Sequence, residues 1–223
     1  MTFDLFDNLD SPDDWRGATG ATEPLADGAV VLRGFARAQA PQLLADIGHV
    51  AGQAPWRHMI TPGGLRMSVA MTNCGQAGWV SDRTGYRYDR HDPLSGETWP
   101  AMPAAFLDLA TRAAAEAGFA GFAPDACLVN RYVPGTRLSL HQDRDERDLR
   151  APIVSVSLGL PAVFLFGGLR RADRPARTRL AHGDVVVWGG PARLAFHGVA
   201  PLADGDHPLL GHERINLTFR KAL

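Results

Sequence analysis

Lysine is almost missing from this sequence. Of its 23 basic side chains, only Lys221 is lysine and the rest are arginine. Arginine grips phosphate and carboxylate bidentately, which lysine cannot do; a GC-rich coding bias is the competing account of the excess. Cysteine is scarce too: Cys74 and Cys127 stand alone in unrelated contexts. They suggest no disulfide framework and suit a reducing cytosol. No apolar run reaches the ~20 residues that a membrane-spanning helix needs. The stretch from Met1 to Pro12 is acidic and lacks a basic start and an apolar centre, so no secretory leader is expected there and the location expected is cytoplasmic.

What is present reads as an ordinary globular chain. Its 223 residues are 45% hydrophobic and 21% charged, enough for one domain with some elaboration. The net charge of -1 hides an asymmetry. Asp4, Asp7, Asp10, Asp13, Asp14, Glu23 and Asp27 face a single early base, Arg16, while the remainder is net basic. Residues 1–23 are therefore expected to form a loose acidic arm, and a monomer is expected overall.

Hydrophobic spacing divides the remainder. Gly28 to Phe35 has the composition of a strand. Ala40 to Gln53 sets Leu43, Leu44, Ile47, Val50 and Ala51 at helical spacing, and Pro103 to Gly118 repeats that pattern with Gly118 as its stop. Between them, Thr61 to Pro100 mixes Gly, Pro, Asn and aromatics with strand-like pieces such as Met67 to Thr72. After about residue 126 the pattern is all strand: Ile153 to Leu160, Ala162 to Phe166, Asp184 to Trp188, Leu194 to His197 and Arg214 to Phe219, punctuated by Gly pairs. Short strands at that spacing predict a mainly β fold with flanking helices and a two-sheet jelly roll.

The sharpest local motif is His141-Gln142-Asp143. In a strand, residues two apart share a face, so this imidazole and carboxylate project together. His197, placed at the end of a later short strand, can complete a two-histidine, one-carboxylate set. Such a set leaves positions open on an octahedral Fe(II). Zinc, held by three residues with one open position, is the rival metal on these ligands alone.

The C-terminal stretch Arg214-Ile215-Asn216-Leu217-Thr218-Phe219-Arg220 alternates strictly. Arg214, Asn216, Thr218 and Arg220 share one face. If that face is buried its charges need partners, and a small dicarboxylate would supply them. If it is exposed, it simply meets water. Asn130 and Tyr132 share a face by the same rule and could donate to the same carboxylates.

These pieces together resemble the bacterial AlkB family. The resemblance rests on NRYVPGTRLSLHQDRDE (Asn130 to Glu146), VSLGLPAVFLFGG (Val156 to Gly168), HGDVVVWGG (His182 to Gly190), FHGV (Phe196 to Val199) and RINLTFR. It continues in TPGG (Thr61 to Gly64), MSVAMTNCG (Met67 to Gly75) and WPAMP (Trp99 to Pro103), and runs from about Glu23 to Arg220. The acidic arm lies outside it, and Phe196 before His197 departs from it.

The resemblance implies a double-stranded β-helix, Fe(II), 2-oxoglutarate, dioxygen and oxidative dealkylation of nucleobases. By motif position, His141, Asp143 and His197 would hold iron. Asn130, Tyr132, Arg214, Asn216 and Arg220 would hold 2-oxoglutarate. The damaged base would lie between Trp79 and His141, with Asp145 as polar contact, and Tyr86, Arg87, Tyr88 and Arg171 would also touch substrate. One oxygenase domain over 24–223 is implied, with a nucleotide-recognition lid at about 61–100 and the jelly-roll core at about 126–222.

The residues add their own argument about substrate. Trp79 to Arg90 interleaves aromatics with arginines, and Arg170 to Arg179 is strongly basic. Both read as exposed loops or edges that fit a nucleic acid. An enzyme working on a base must take it out of the stack and hold it on an aromatic platform. Single-stranded DNA is the favoured partner and RNA the second. Asp145 and Glu146, placed just past the metal motif, would favour the cationic 1-methyladenine and 3-methylcytosine over neutral bases. Two rival readings remain: a 2-oxoglutarate oxygenase acting on protein, and a non-enzymatic, cupin-like metal sensor.

Overall fold

A computed structural model describes residues 20–223. The expected acidic arm lies mostly outside the described residues. Its last two members, Thr22 and Glu23, already belong to the first strand.

The strands are β1 (Thr22–Ala26), β2 (Ala29–Leu32), β3 (Ala70–Gly75), β4 (Gly78–Asp82), β5 (Gly85–Asp89), β6 (Ala126–Tyr132), β7 (Leu138–His141), β8 (Ile153–Gly159), β9 (Ala162–Phe166), β10 (Ala176–Leu180), β11 (Val185–Trp188), β12 (His197–Val199) and β13 (Arg214–Arg220). The helices are α1 (Ala40–Gln53) and α2 (Ala104–Glu116). A seven-stranded sheet runs β1-β2-β11-β8-β13-β6-β3, a four-stranded sheet runs β10-β9-β12-β7, and β4 and β5 form a separate hairpin. The fold is the expected jelly roll: mainly β, with two sheets enclosing a cavity and helices on the outer side of the larger sheet. Within residues 61–100, β3 joins that larger sheet and only the β4–β5 hairpin stands apart as a sheet of its own.

Two apolar clusters hold the layers. Ala40, Leu43, Ile47 and Val50 form the buried stripe of α1, as their helical spacing requires. With Phe106, Leu109 and Ala113 of α2 they pack on Ile215, Leu217 and Phe219 of β13. Phe106 meets Phe219 edge-on with centroids 5.9 Å apart. Each large apolar side chain buried in this way contributes about 1.5–3 kcal/mol. The second cluster lies between the sheets and includes Phe164, Phe166, Trp188 and Val199.

The outlines differ from the sequence pattern in two places and agree in a third. The strand expected over Met67 to Thr72 lies further along, because β3 pairs with β6 from Ala70 opposite Arg131 to Gly75 opposite Ala126. The strand expected over Leu194 to His197 instead begins at His197, since Ala192 and Ala195 close a local turn through a 2.8 Å backbone hydrogen bond. The arginine-rich stretch contains β10, an edge strand paired only with β9. Its arginines Arg177 and Arg179 are exposed.

One glycine has a direct bearing on the site. Gly198 follows His197, and a Cβ there would stand 2.6 Å from the Leu138 carbonyl oxygen. Only glycine lets β12 approach β7 so closely, and that approach sets His197 opposite His141.

Candidate active site

His141 is the last residue of β7, and Asp143 lies just beyond it rather than within a strand. Gln142, between them, donates to the Leu194 carbonyl at 2.6 Å and ties this corner to the segment before His197. The ligand atoms of His141, Asp143 and His197 all lie within 4.8 Å of one another. His141 Nε2 is 3.6 Å from one Asp143 oxygen and His197 Nε2 is 3.7 Å from the other. Each imidazole is oriented from behind: Nδ1 of His141 faces the Ser139 carbonyl at 2.9 Å, and Nδ1 of His197 faces that of Ala195 at 3.0 Å. With the proton on Nδ1, both Nε2 lone pairs face the gap, the arrangement of metal-ligating histidines.

The electrostatics agree with a cation site. Burial opposes charge on Asp143, but the adjacent Arg220, then His197 and His141, outweigh it and hold the carboxyl below its ordinary range. Burial, reinforced by His141, lowers His197 to about 4, so its imidazole is neutral near pH 7.

Behind the triad, β13 supplies the cavity floor. It lies between β8 and β6 in the larger sheet, so the polar face that could have met water is buried. Arg214 is 1% exposed and Asn216, Thr218 and Arg220 are 5–6% exposed. Register places Arg214 opposite Tyr132 and Asn216 opposite Asn130, which brings four of the five expected cofactor residues together, with Arg220 further along the same face of β13. The two arginines differ in their partners. Arg220 donates twice to Asp143 Oδ2, at 2.8 and 2.6 Å. Arg214 donates from Nη2 to Ser157 Oγ at 2.8 Å, and its guanidinium lies over the Tyr132 ring. Its Nε and Nη1 are buried without a partner, as is Asn130 Oδ1. Burial pushes the Arg214 guanidinium below its usual range. A buried cation with unused donors calls for an anion.

Triad and floor line one cavity of about 810 Å³, together with Trp79, Tyr86, Asp145 and Arg171. Trp79 stacks on Tyr86 (5.6 Å, 13°) and its indole N–H donates to Asp145 at 2.9 Å. Arg171 donates to the Leu140 carbonyl at 2.8 Å and packs over Phe196. Three expected contacts are turned away from this space. Arg87 pairs with Asp82 and Asp89 on its own hairpin. Tyr88 points inward and donates to Glu146 at 2.8 Å. Glu146 is itself buried against Arg193, so it does not face a substrate.

Sequence reasoning missed Ser155 and Ser157, which bind Asn216 and Arg214 from β8. The alternation in IVSVSLGL carried that signal, since these serines share the inward face of their strand. It also missed Arg66, Arg137 and Arg144 at the cavity wall and the buried Arg193. Those are isolated arginines with no local pattern to mark them.

This jelly roll, with its His-Asp-His set and a buried arginine beside it, defines a metal-dependent oxygenase. Residues 28–220 match the model of the 2OG-Fe(II) oxygenase superfamily, and the chain belongs to that superfamily. It is an Fe(II)- and 2-oxoglutarate-dependent dioxygenase, and its particular similarity is to bacterial AlkB. It is 63% identical to the alpha-ketoglutarate-dependent dioxygenase AlkB of Salmonella typhimurium over 90% of this chain and 93% of the relative. Identity to the Escherichia coli AlkB is 62% with the same coverage. The solved structure of OsALKBH1 superimposes with a TM-score of 0.80 at 28% identity, covering 90% of this chain and all of that one. The sensor reading, which has no place for catalysis, is thereby set aside. No helix among the described residues is long and apolar enough to cross a membrane.

Proposed function

We propose that this enzyme removes alkyl groups from N-alkylated bases such as 1-methyladenine and 3-methylcytosine, in single-stranded DNA first and in RNA second. The observation that carries the reading is the joint lining of one cavity by the triad, Arg214 with two unused buried donors, and an aromatic-acid pair, Trp79 with Asp145. Relatives support it by name: the AlkB enzymes above, a DNA N(6)-methyladenine demethylase of Arabidopsis thaliana and a tRNA demethylase of Schizosaccharomyces pombe.

His141, Asp143 and His197 would hold Fe(II), and the donor set fits a metal with open positions. Arg214, with Asn130, Tyr132 and Asn216, would take the far carboxylate of 2-oxoglutarate, which answers the orphaned donors. Arg220 would orient Asp143 and border the cofactor. When bound, iron and 2-oxoglutarate supply the oxidation of a C–H bond by dioxygen, with succinate and carbon dioxide as co-products. The chain's own residues position and select. Trp79 offers a face on which a flipped-out base stacks, against His141 on the other side. Asp145 faces the same space, favours a cationic alkylated base over its neutral parent and accepts from the exocyclic amine. Arg66, Arg137, Arg144 and Arg171 surround the cavity with positive charge that suits flanking phosphates. Oxidation at the N-alkyl carbon releases a methyl group as formaldehyde. Buried free thiols at Cys74 and Cys127 fit a cytoplasmic location, and we place the enzyme there as a monomer.

The test is anaerobic assembly with Fe(II) and 2-oxoglutarate, then oxygen and a single-stranded oligonucleotide bearing one 1-methyladenine. Mass spectrometry should show loss of one methyl group with stoichiometric formaldehyde, dependent on both cofactors. Slow succinate formation with the methyl group retained would overturn the DNA reading, and the same result with an RNA oligonucleotide bearing 1-methyladenine would overturn the nucleobase reading and favour a protein substrate.

A further inference from the structure

The β4–β5 hairpin carries Trp79 and Tyr86 but lies outside both main sheets. Its base is fixed by paired hydrogen bonds between Asn73 and the Trp79 backbone, both at 3.0 Å. Two further bonds tie it to the segment that follows the metal ligand Asp143, and they are unlike each other. Trp79 Nε1 donates to Asp145, which is exposed. Tyr88 Oη donates to Glu146, whose side chain is 2% exposed.

Glu146 is where the hairpin and the metal ligand meet. Its second oxygen accepts from Arg193 Nη2 at 3.0 Å, and Arg193 in turn donates to the Asp143 carbonyl at 2.7 Å and the Ala151 carbonyl at 2.9 Å. The oxygen that receives Tyr88 also lies 3.4 Å from Arg220 Nε, and Arg220 grips the Asp143 carboxylate. Glu146 thus touches, through one buried network, the hairpin on one side and both the backbone and the carboxylate of Asp143 on the other. A fully connected buried charge network fixes geometry more firmly than its separate bonds would.

We propose that Glu146 is a positioning residue that latches the β4–β5 hairpin to the iron-ligating segment, so that the base-stacking face and the metal keep one fixed separation. The Trp79–Asp145 bond is the breakable latch. A base that displaces the indole from Asp145 frees that bond, and the Tyr88–Glu146 bond then keeps the hairpin seated. The second role of Glu146 is electrostatic. It shares the Arg220 cation with Asp143, which leaves the Asp143 carboxylate more available to a metal than Arg220 alone would. Only the release of Trp79 by a base rests on the proposed substrate; the latch and the sharing of Arg220 do not.

The experiment compares Tyr88→Phe and Glu146→Gln with the parent protein in two measurements that need no substrate. Hydrogen exchange on the metal-free protein reads the hairpin, and Mn(II) titration followed by electron paramagnetic resonance reads the metal site. Tyr88→Phe removes one oxygen and no charge, so it should fold. Its exchange over residues 78–89 should rise about tenfold with the other strands unchanged, and its Mn(II) affinity should hold. Glu146→Gln should weaken Mn(II) binding about tenfold, because Arg220 then neutralises Asp143 alone. Unchanged hairpin exchange in Tyr88→Phe, or loss of protection spread evenly over all strands, overturns the latch. Unchanged Mn(II) affinity in Glu146→Gln overturns the link to the metal. With a 1-methyladenine oligonucleotide, KM in Tyr88→Phe should rise more than kcat falls. A missing KM effect beside the expected exchange and Mn(II) results would count against the nucleobase reading and leave the latch standing.

Discussion

On the floor of the cavity, Arg214, Asn216, Thr218 and Arg220 project from a central strand and are at most 6% exposed. On its rim, Tyr86 is 48% exposed and Arg144 and Arg171 are open to solvent. The floor is crowded with polar groups that hold one another: Asn216 donates to Ser155, Thr218 donates to Asn216, and Arg220 donates to Asp143. At the rim, direct bonds are fewer and several arginines have no ion pair among the described residues. A buried donor without a partner is costly, so an orphaned charged group on the floor is informative. A solvated rim satisfies every group with water, so an unpaired arginine there says only that an anion would be welcome.

The comparison can be broken most completely at the metal ligands. His141→Ala or Asp143→Ala should reduce turnover to background, measured as succinate and formaldehyde release; near-normal activity in either would remove the ligand assignment. Arg214→Met sharpens the contrast, because function and stability should part. The 2-oxoglutarate concentration needed for half-maximal rate should rise about 100-fold. The melting temperature should hold or increase, because a buried cation without an anion is costly in the free protein. A large loss of stability with an unchanged cofactor requirement would mean that Arg214 serves the fold instead. At the rim, Trp79→Ala should raise KM for an alkylated oligonucleotide about tenfold through lost stacking. The 2-oxoglutarate requirement should stay as it was; parallel loss of both would point to misfolding.

The smallest effect lies away from the cavity. Burial, with His207 stacked 4.5 Å away, lowers His182 to about 4. Its Nδ1 accepts the Gly159 N–H at 3.0 Å, so protonation there breaks the bond. The folded value lies below the ordinary one near 6.5, hence the unfolded chain takes up the proton first. Stability is then complete above about pH 6.5 and lost as pH falls towards 4, by about 1 kcal/mol after allowance for partial exposure. His182→Asn, which can still accept from Gly159, should flatten that part of the pH profile of denaturant unfolding. An identical slope in the variant would remove His182 from the account.

The helices at Ala40 and Ala104 and the strand-rich second half were legible because each follows a local period, whereas of the ligand set only His141 and Asp143 stand together in the sequence and His197 comes from a distant strand. Helical stripes repeat every three to four residues, and strand faces every two. That same period put Arg214, Asn216, Thr218 and Arg220 on one face. It could not say whether the face was wet, because burial depends on where β13 sits in the sheet, between β8 and β6. Nor could it separate the two arginines. Arg220 finds the Asp143 carboxylate across 77 residues of sequence, while Arg214 finds the Ser157 hydroxyl and the Tyr132 ring but no carboxylate, and keeps two donors unused. Tyr88 and Glu146, 58 residues apart, face each other instead of a substrate for the same reason. Local alternation fixes which side chains share a surface; only the packing of distant strands fixes what that surface meets.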